Sequence, residues 1–81
     1  MDRRTEKPRL LRDIGDAIRH HRLAKGWSQE ELSFNSGLHR TYIGAVERGE
    51  RNVSVLSLQK IAHAMEIPVA ALFRDREKQS G

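Results

Sequence analysis

Cysteine is absent from the 81-residue chain, so it can form neither a disulfide framework nor a thiolate metal site. No stretch approaches the roughly 20 apolar residues of a membrane span. The start, Met1-Asp2-Arg3-Arg4, lacks the apolar run of a signal peptide. A soluble protein of the reducing cytoplasm is expected. The histidines, His20, His21, His39 and His63, show no paired ligand spacing on one helix face. There is no glycine-rich phosphate loop and no arguable Ser/His/Asp set. Enzymatic activity, a metal and a cofactor are therefore not expected. At this length one domain is expected, and with it no second domain to host a small-molecule effector. No repeat and no strand pattern is visible.

Charge and helical periodicity remain. The net charge of +4 weakly favours an anionic partner. Its distribution says more, because Arg3, Arg4, Lys7, Arg9 and Arg12 crowd one end against only Asp2 and Glu6. Residues 1–8 are expected to be a flexible basic arm, residues 9–73 the folded domain, and residues 74–81 a charged, fraying tail. The cluster is also what a solvated arm would contain.

From Arg9 the spacing becomes helical, with Leu11, Ile14, Ala17, Ile18 and His21 on one stripe and Gly26 as the stop. Ser28-Gln29-Glu30-Glu31 is a capping box opening a second helix over about residues 29–36, with Trp27 placed to staple onto Leu32. Gly37 ends it, Leu38 turns inward, and a third helix spans about residues 39–48. Ser54 is a credible cap for a fourth helix carrying Leu58, Ile61, Ala62 and Met65. Pro68 begins a short fifth helix with Val69, Leu72 and Phe73. The expected fold is all-α, a compact bundle of five helices.

The third helix draws attention by its two faces. Ile43, Val46 and Glu47 share one side, and Arg40, Thr41, Gly44, Ala45 and Arg48 the other. Glycine inside a helix costs about 1 kcal/mol relative to alanine, so a bare position suggests close approach of a partner. The major groove of DNA admits one helix, and its base edges match arginine and threonine chemistry. The short turn at Gly37 makes the second and third helices cross steeply, as in a helix-turn-helix. Leu32, Leu38, Ile43 and Val46 supply the apolar wedge, and Ser33 lies where a large side chain would clash.

Together, Trp27-Ser28-Gln29-Glu30-Glu31-Leu32, Ser36-Gly37-Leu38, Glu47-Arg48-Gly49 and Leu58 to Ala64 resemble the lambda-repressor-like helix-turn-helix family over about residues 11–73. Arg40-Thr41-Tyr42-Ile43 followed by Glu47-Arg48-Gly49-Glu50-Arg51-Asn52 looks most like the controller proteins of restriction–modification systems, although phage-type repressors and antitoxins share much of it. Ser33 replaces the usual alanine, and Pro68 the usual serine-type cap.

The resemblance implies that Gln29 contacts a phosphate and braces the reading helix, and that Arg40 and Thr41 read bases. It implies that Tyr42, Arg48, Arg51 and Asn52 reach the backbone or groove edge, and that Arg22 and Glu47 form a buried ion pair. His39 and Gly44 complete the candidate DNA surface. The expected partners are double-stranded DNA and a second copy of the chain, with RNA polymerase a further candidate. Ile67, Val69, Leu72 and Phe73 are the candidate dimer interface, being more apolar than one short helix needs. A toxin is the alternative partner, but the tail after Phe73 is short for wrapping one.

Overall fold

A computed structural model describes residues 8–73. The arm and tail expectations fall outside these residues, apart from Pro8. Four α-helices follow in order: α1 (Arg9–Ala24), α2 (Gln29–Ser36), α3 (Arg40–Glu47) and α4 (Val55–Ala64). A 3-10 segment, Val69–Phe73, comes last. The five-helix expectation is thereby corrected to four α-helices and a 3-10 turn. A five-residue segment can close few i→i+4 bonds against the cost of nucleating an α-helix. The segment instead closes an i→i+3 bond from the Ala71 amide to the Pro68 carbonyl at 3.0 Å.

Local chemistry sets the helix ends. Ser28 Oγ accepts from the Glu31 amide at 3.0 Å while Glu31 Oε1 accepts from the Ser28 amide at 2.7 Å, closing the capping box of α2. Ser54 Oγ accepts from the Ser57 amide at 3.0 Å to start α4. At the end of α2, Gly37 takes φ +77°, a left-handed conformation that turns the chain toward α3. The end of α4 uses the same left-handed geometry on Glu66, at φ 61°, where glycine would be usual.

The core is aliphatic. Ile18, Leu32, Ile43, Ile61, Met65 and Leu72 are its largest fully buried side chains, joined by Ile14, Ala17, Val46, Leu58 and Ala62. Trp27, Leu38, Tyr42, Val53, Ile67 and Val69 pack at its edge. Leu72 is 1% exposed. Its assignment to a dimer surface is therefore corrected: a 3-10 turn this short must commit its largest aliphatic side chain to the monomer's own core. Ile67 and Val69 are half-buried against that core, and Phe73 alone of the four is exposed.

Helix α1 carries α3 on its back through Gly15, a residue that hydrophobic periodicity did not single out. A Cβ there would lie 2.5 Å from the carbonyl oxygens of both Val46 and Glu47. Only a bare residue lets the two backbones approach this closely. The reading-helix candidate is thus fixed from behind by backbone as well as by side chains.

Candidate nucleic-acid interface

Helices α2 and α3 are joined by Gly37, Leu38 and His39. The turn is held from inside by Ser33, whose hydroxyl donates to the Leu38 carbonyl. The Leu38 amide donates in turn to Ser36 Oγ at 3.3 Å. Serine at position 33 is therefore a fastening for the turn. A side chain here must be small and, in this chain, can be polar because its partner is two steps beyond the helix end.

Beneath α3 lies a charged cluster. Arg22 Nε donates to Glu47 Oε2 at 2.7 Å and Arg22 Nη2 to Glu47 Oε1 at 3.0 Å, a two-pronged pair with both side chains under 10% exposed. Arg22 Nη1 donates to the Trp27 carbonyl at 2.7 Å. Gln29 Nε2 donates to Glu47 Oε1 at 3.0 Å. The hydrogen bonds from its guanidinium to Glu47 raise the Arg22 pKa above its ordinary value; burial opposes this and the Glu47 charge adds to it. Among the described residues no buried side-chain nitrogen or oxygen is left without a partner. One glutamate near the end of α3 thus ties it to the end of α1 and the start of α2.

The outer face of α3 is polar and open. His39 caps the helix without a side-chain bond and is exposed, as are Arg40 and Thr41. Arg48, Arg51 and Asn52 are exposed just beyond its end. The Arg51 guanidinium lies 5.2 Å from the centre of the Tyr42 ring, a cation–π contact that holds it beside the half-buried tyrosine. Arg48 Nε donates to Glu50 Oε1 at 3.0 Å, and Arg40 Nη1 to Glu30 Oε2 at 3.4 Å.

Gly44 departs from its expected outward position: it is buried. A Cβ at this residue would meet Arg48 Nη1 at 3.2 Å and Gln29 Oε1 at 3.3 Å. The bare position makes room for two side chains of the protein itself, so Gly44 is not an open contact point. Glu30 and Glu50 were missed as members of this surface. Glu30 lies ten residues from Arg40, and only the steep crossing of α2 and α3 brings them together.

Among the described residues no cluster of His, Cys, Asp and Glu could hold a metal ion, and no helix is long and apolar enough to cross a membrane.

A helix with arginine and threonine outward, clamped from behind and entered through a three-residue turn, has helix-turn-helix geometry. The model of the helix-turn-helix family matches residues 18–72. The chain belongs to that family. Within it, this helix-turn-helix chain is 47% identical over 64 residues to control protein C.BamHI of Bacillus amyloliquefaciens, covering 78% of this chain and 76% of that one. The restriction–modification controller protein C.AhdI of Aeromonas hydrophila superimposes with a TM-score of 0.76 at 51% identity, over 78% of this chain and 96% of that one. A third likeness is C.Esp1396I, solved as a tetramer with its natural 35-base-pair operator. It has a TM-score of 0.77 and 38% identity, over 85% of this chain and 91% of that chain. The lambda-repressor-like resemblance, and the narrower one to restriction–modification controller proteins, both hold.

Proposed function

We propose that this helix-turn-helix chain is a restriction–modification controller, a transcriptional regulator that binds a near-palindromic DNA operator as a homodimer. The observation that carries this is the division of α3. Ile43, Val46 and Glu47 are buried while Arg40 and Thr41 stand exposed on the opposite side. Arginine can donate two bonds to guanine O6 and N7, and threonine can meet a thymine methyl or donate its hydroxyl. Around these readers, His39, Tyr42, Arg48, Arg51 and Asn52 take the positioning role, contacting phosphate or the groove edge and setting register. Gln29, already bonded to Glu47, meets phosphate from the start of α2. Gly44 serves indirectly, by seating Gln29 and Arg48.

A single α3 with two main readers distinguishes only a few base pairs. Discrimination against non-specific DNA takes roughly 4–10 kcal/mol, and two-fold pairing doubles the contacts. The surface we assign to the partner copy is Phe73 flanked by Ile67 and Val69, with Leu72 withdrawn into the core. RNA polymerase is the further protein such a regulator would meet, and the cytoplasm is where it would work.

Selection of duplexes from a random-sequence pool is the test. The expected product is an inverted repeat whose half-sites are separated by about one helical turn, roughly 34–36 Å. Enrichment of no sequence, or of a single asymmetric half-site bound by a monomer, would contradict the proposal.

A further inference from the structure

We propose that Glu30 is a specificity determinant: it competes with DNA phosphate for Arg40, so that Arg40 leaves the protein only for a base that can accept both its bonds. The inference rests on the assignment of Arg40 as a reader of bases.

Three arginines stand on or beside the outer face of α3, and each is parked differently. Arg48 is bonded to Glu50, two residues away along the chain, and Arg51 lies over the Tyr42 ring. Arg40 is held across the turn by a residue of the other helix, with Nη1 3.4 Å from Glu30 Oε2. Both partners are solvent-exposed, at 63% and 74% for the two side chains. Such a pair is weak. A weak pair cannot lock the fold, but it can bias a choice between alternatives that are themselves close in energy.

Among the described residues the Glu30 side chain is bonded to Arg40 and takes no part in capping α2. The capping bonds of α2 are made by Ser28 and Glu31. Its carboxylate does gain from the helix N-terminus, but so does that of Glu31, which sits beside it in the first turn. A negative charge placed next to the reading surface weakens approach to a polyanion. Its net effect therefore depends on what Arg40 does.

On DNA lacking the right guanine, the choices for Arg40 are phosphate or Glu30. The glutamate removes one cation from the sequence-independent attraction that dominates non-specific binding. On the correct site, a bidentate contact to guanine outweighs an exposed ion pair, since the former is worth about 1–3 kcal/mol of discrimination. Arg40 then exchanges Glu30 for the base. Neutralising Glu30 should strengthen binding to both kinds of DNA and strengthen non-specific binding more.

The test compares wild type with Glu30→Gln, Arg40→Ala and the double variant. The probes are a duplex selected by the wild-type protein from a random pool, and poly(dI-dC). Glutamine keeps the length of the side chain, and circular dichroism checks that α2 persists. In Glu30→Gln the ratio of specific to non-specific affinity is expected to fall about two- to fivefold, chiefly through tighter poly(dI-dC) binding. In the Arg40→Ala background the same substitution should leave the ratio unchanged. An unchanged or increased ratio in Glu30→Gln would overturn the inference, as would an equal fall in both backgrounds. A wild-type protein that cannot distinguish the two probes would refute the DNA-reading assignment itself, which separates that failure from failure of the role of Glu30.

Discussion

Replacing Glu47 by alanine is expected to destabilise the protein by about 3–5 kcal/mol, and replacing Arg22 and Glu47 together by apolar residues of similar size to cost far less. Glu47 accepts three hydrogen bonds, two from Arg22 and one from Gln29. Removing it leaves a guanidinium buried without its counter-charge. A small domain has only about 5–15 kcal/mol in total, so the single variant should lie close to the unfolding threshold. The double variant loses the bond from Arg22 to the Trp27 carbonyl as well, which sets a residual cost of roughly 1–3 kcal/mol. A double-mutant cycle in urea measures this directly. Coupling above about 1 kcal/mol supports the pair, whereas additivity within about 0.5 kcal/mol contradicts it. Because the folded-state pKa of Arg22 is raised, its contribution is fully present below the arginine's ordinary pKa. It is lost only as pH rises through the raised value. No pH near neutrality should weaken the pair through Arg22.

The second large effect separates two neighbours. Leu72→Glu should leave the chain unfolded or nearly so, since Leu72 is 1% exposed and Phe73 40%. Even truncation of a buried leucine to alanine costs about 2–5 kcal/mol, and an unpaired carboxylate in the same place costs more. Phe73→Glu should instead remain folded, with a thermal midpoint near that of wild type. It should nevertheless scatter light as a monomer at micromolar concentration and bind the selected operator poorly. Circular dichroism and light scattering on the two variants decide the matter. If Phe73→Glu stays dimeric and binds normally, the partner surface lies elsewhere on the molecule. The exposed Val55 and Leu56 at the start of α4 would then be the next residues to substitute.

What the sequence made legible follows from the range of the forces involved. Ser28 with Glu31, Ser54, and Gly37 act within one helical turn, so their bonds could be read from spacing, and the bounds of α2 emerged as expected. The apolar stripe of α1 and the inward set Ile43, Val46 and Glu47 are likewise local patterns, repeated every three or four residues. Distances that depend on tertiary crossing were not legible. Gly15 lay inside a helix with no pattern to mark it, because its partner is the backbone of α3. Gly44 was placed outward by the helical wheel. Long side chains from α2 and the end of α3 fold over it, which no wheel contains. The last segment misled for a related reason. A proline followed by five mostly apolar residues satisfies helix-start rules, but its length leaves Leu72 to the core and gives a 3-10 turn. The residues named for DNA contact owe their assignment to motif resemblance joined to base chemistry. The structure adds that His39, Arg40, Thr41, Arg48, Arg51 and Asn52 are exposed, while Gln29 and Tyr42 are half-buried and Gly44 is buried.

The most direct test of the central claim, that α3 reads base edges through Arg40, is the affinity of Arg40→Ala for the selected operator and for each of its single-base variants. The expected loss on the preferred site is about 1–3 kcal/mol, with preference abolished at one base position in each half-site and retained at the others. A uniform loss across all sequences would make Arg40 a phosphate contact, and an unchanged preference at every position would contradict the claim outright.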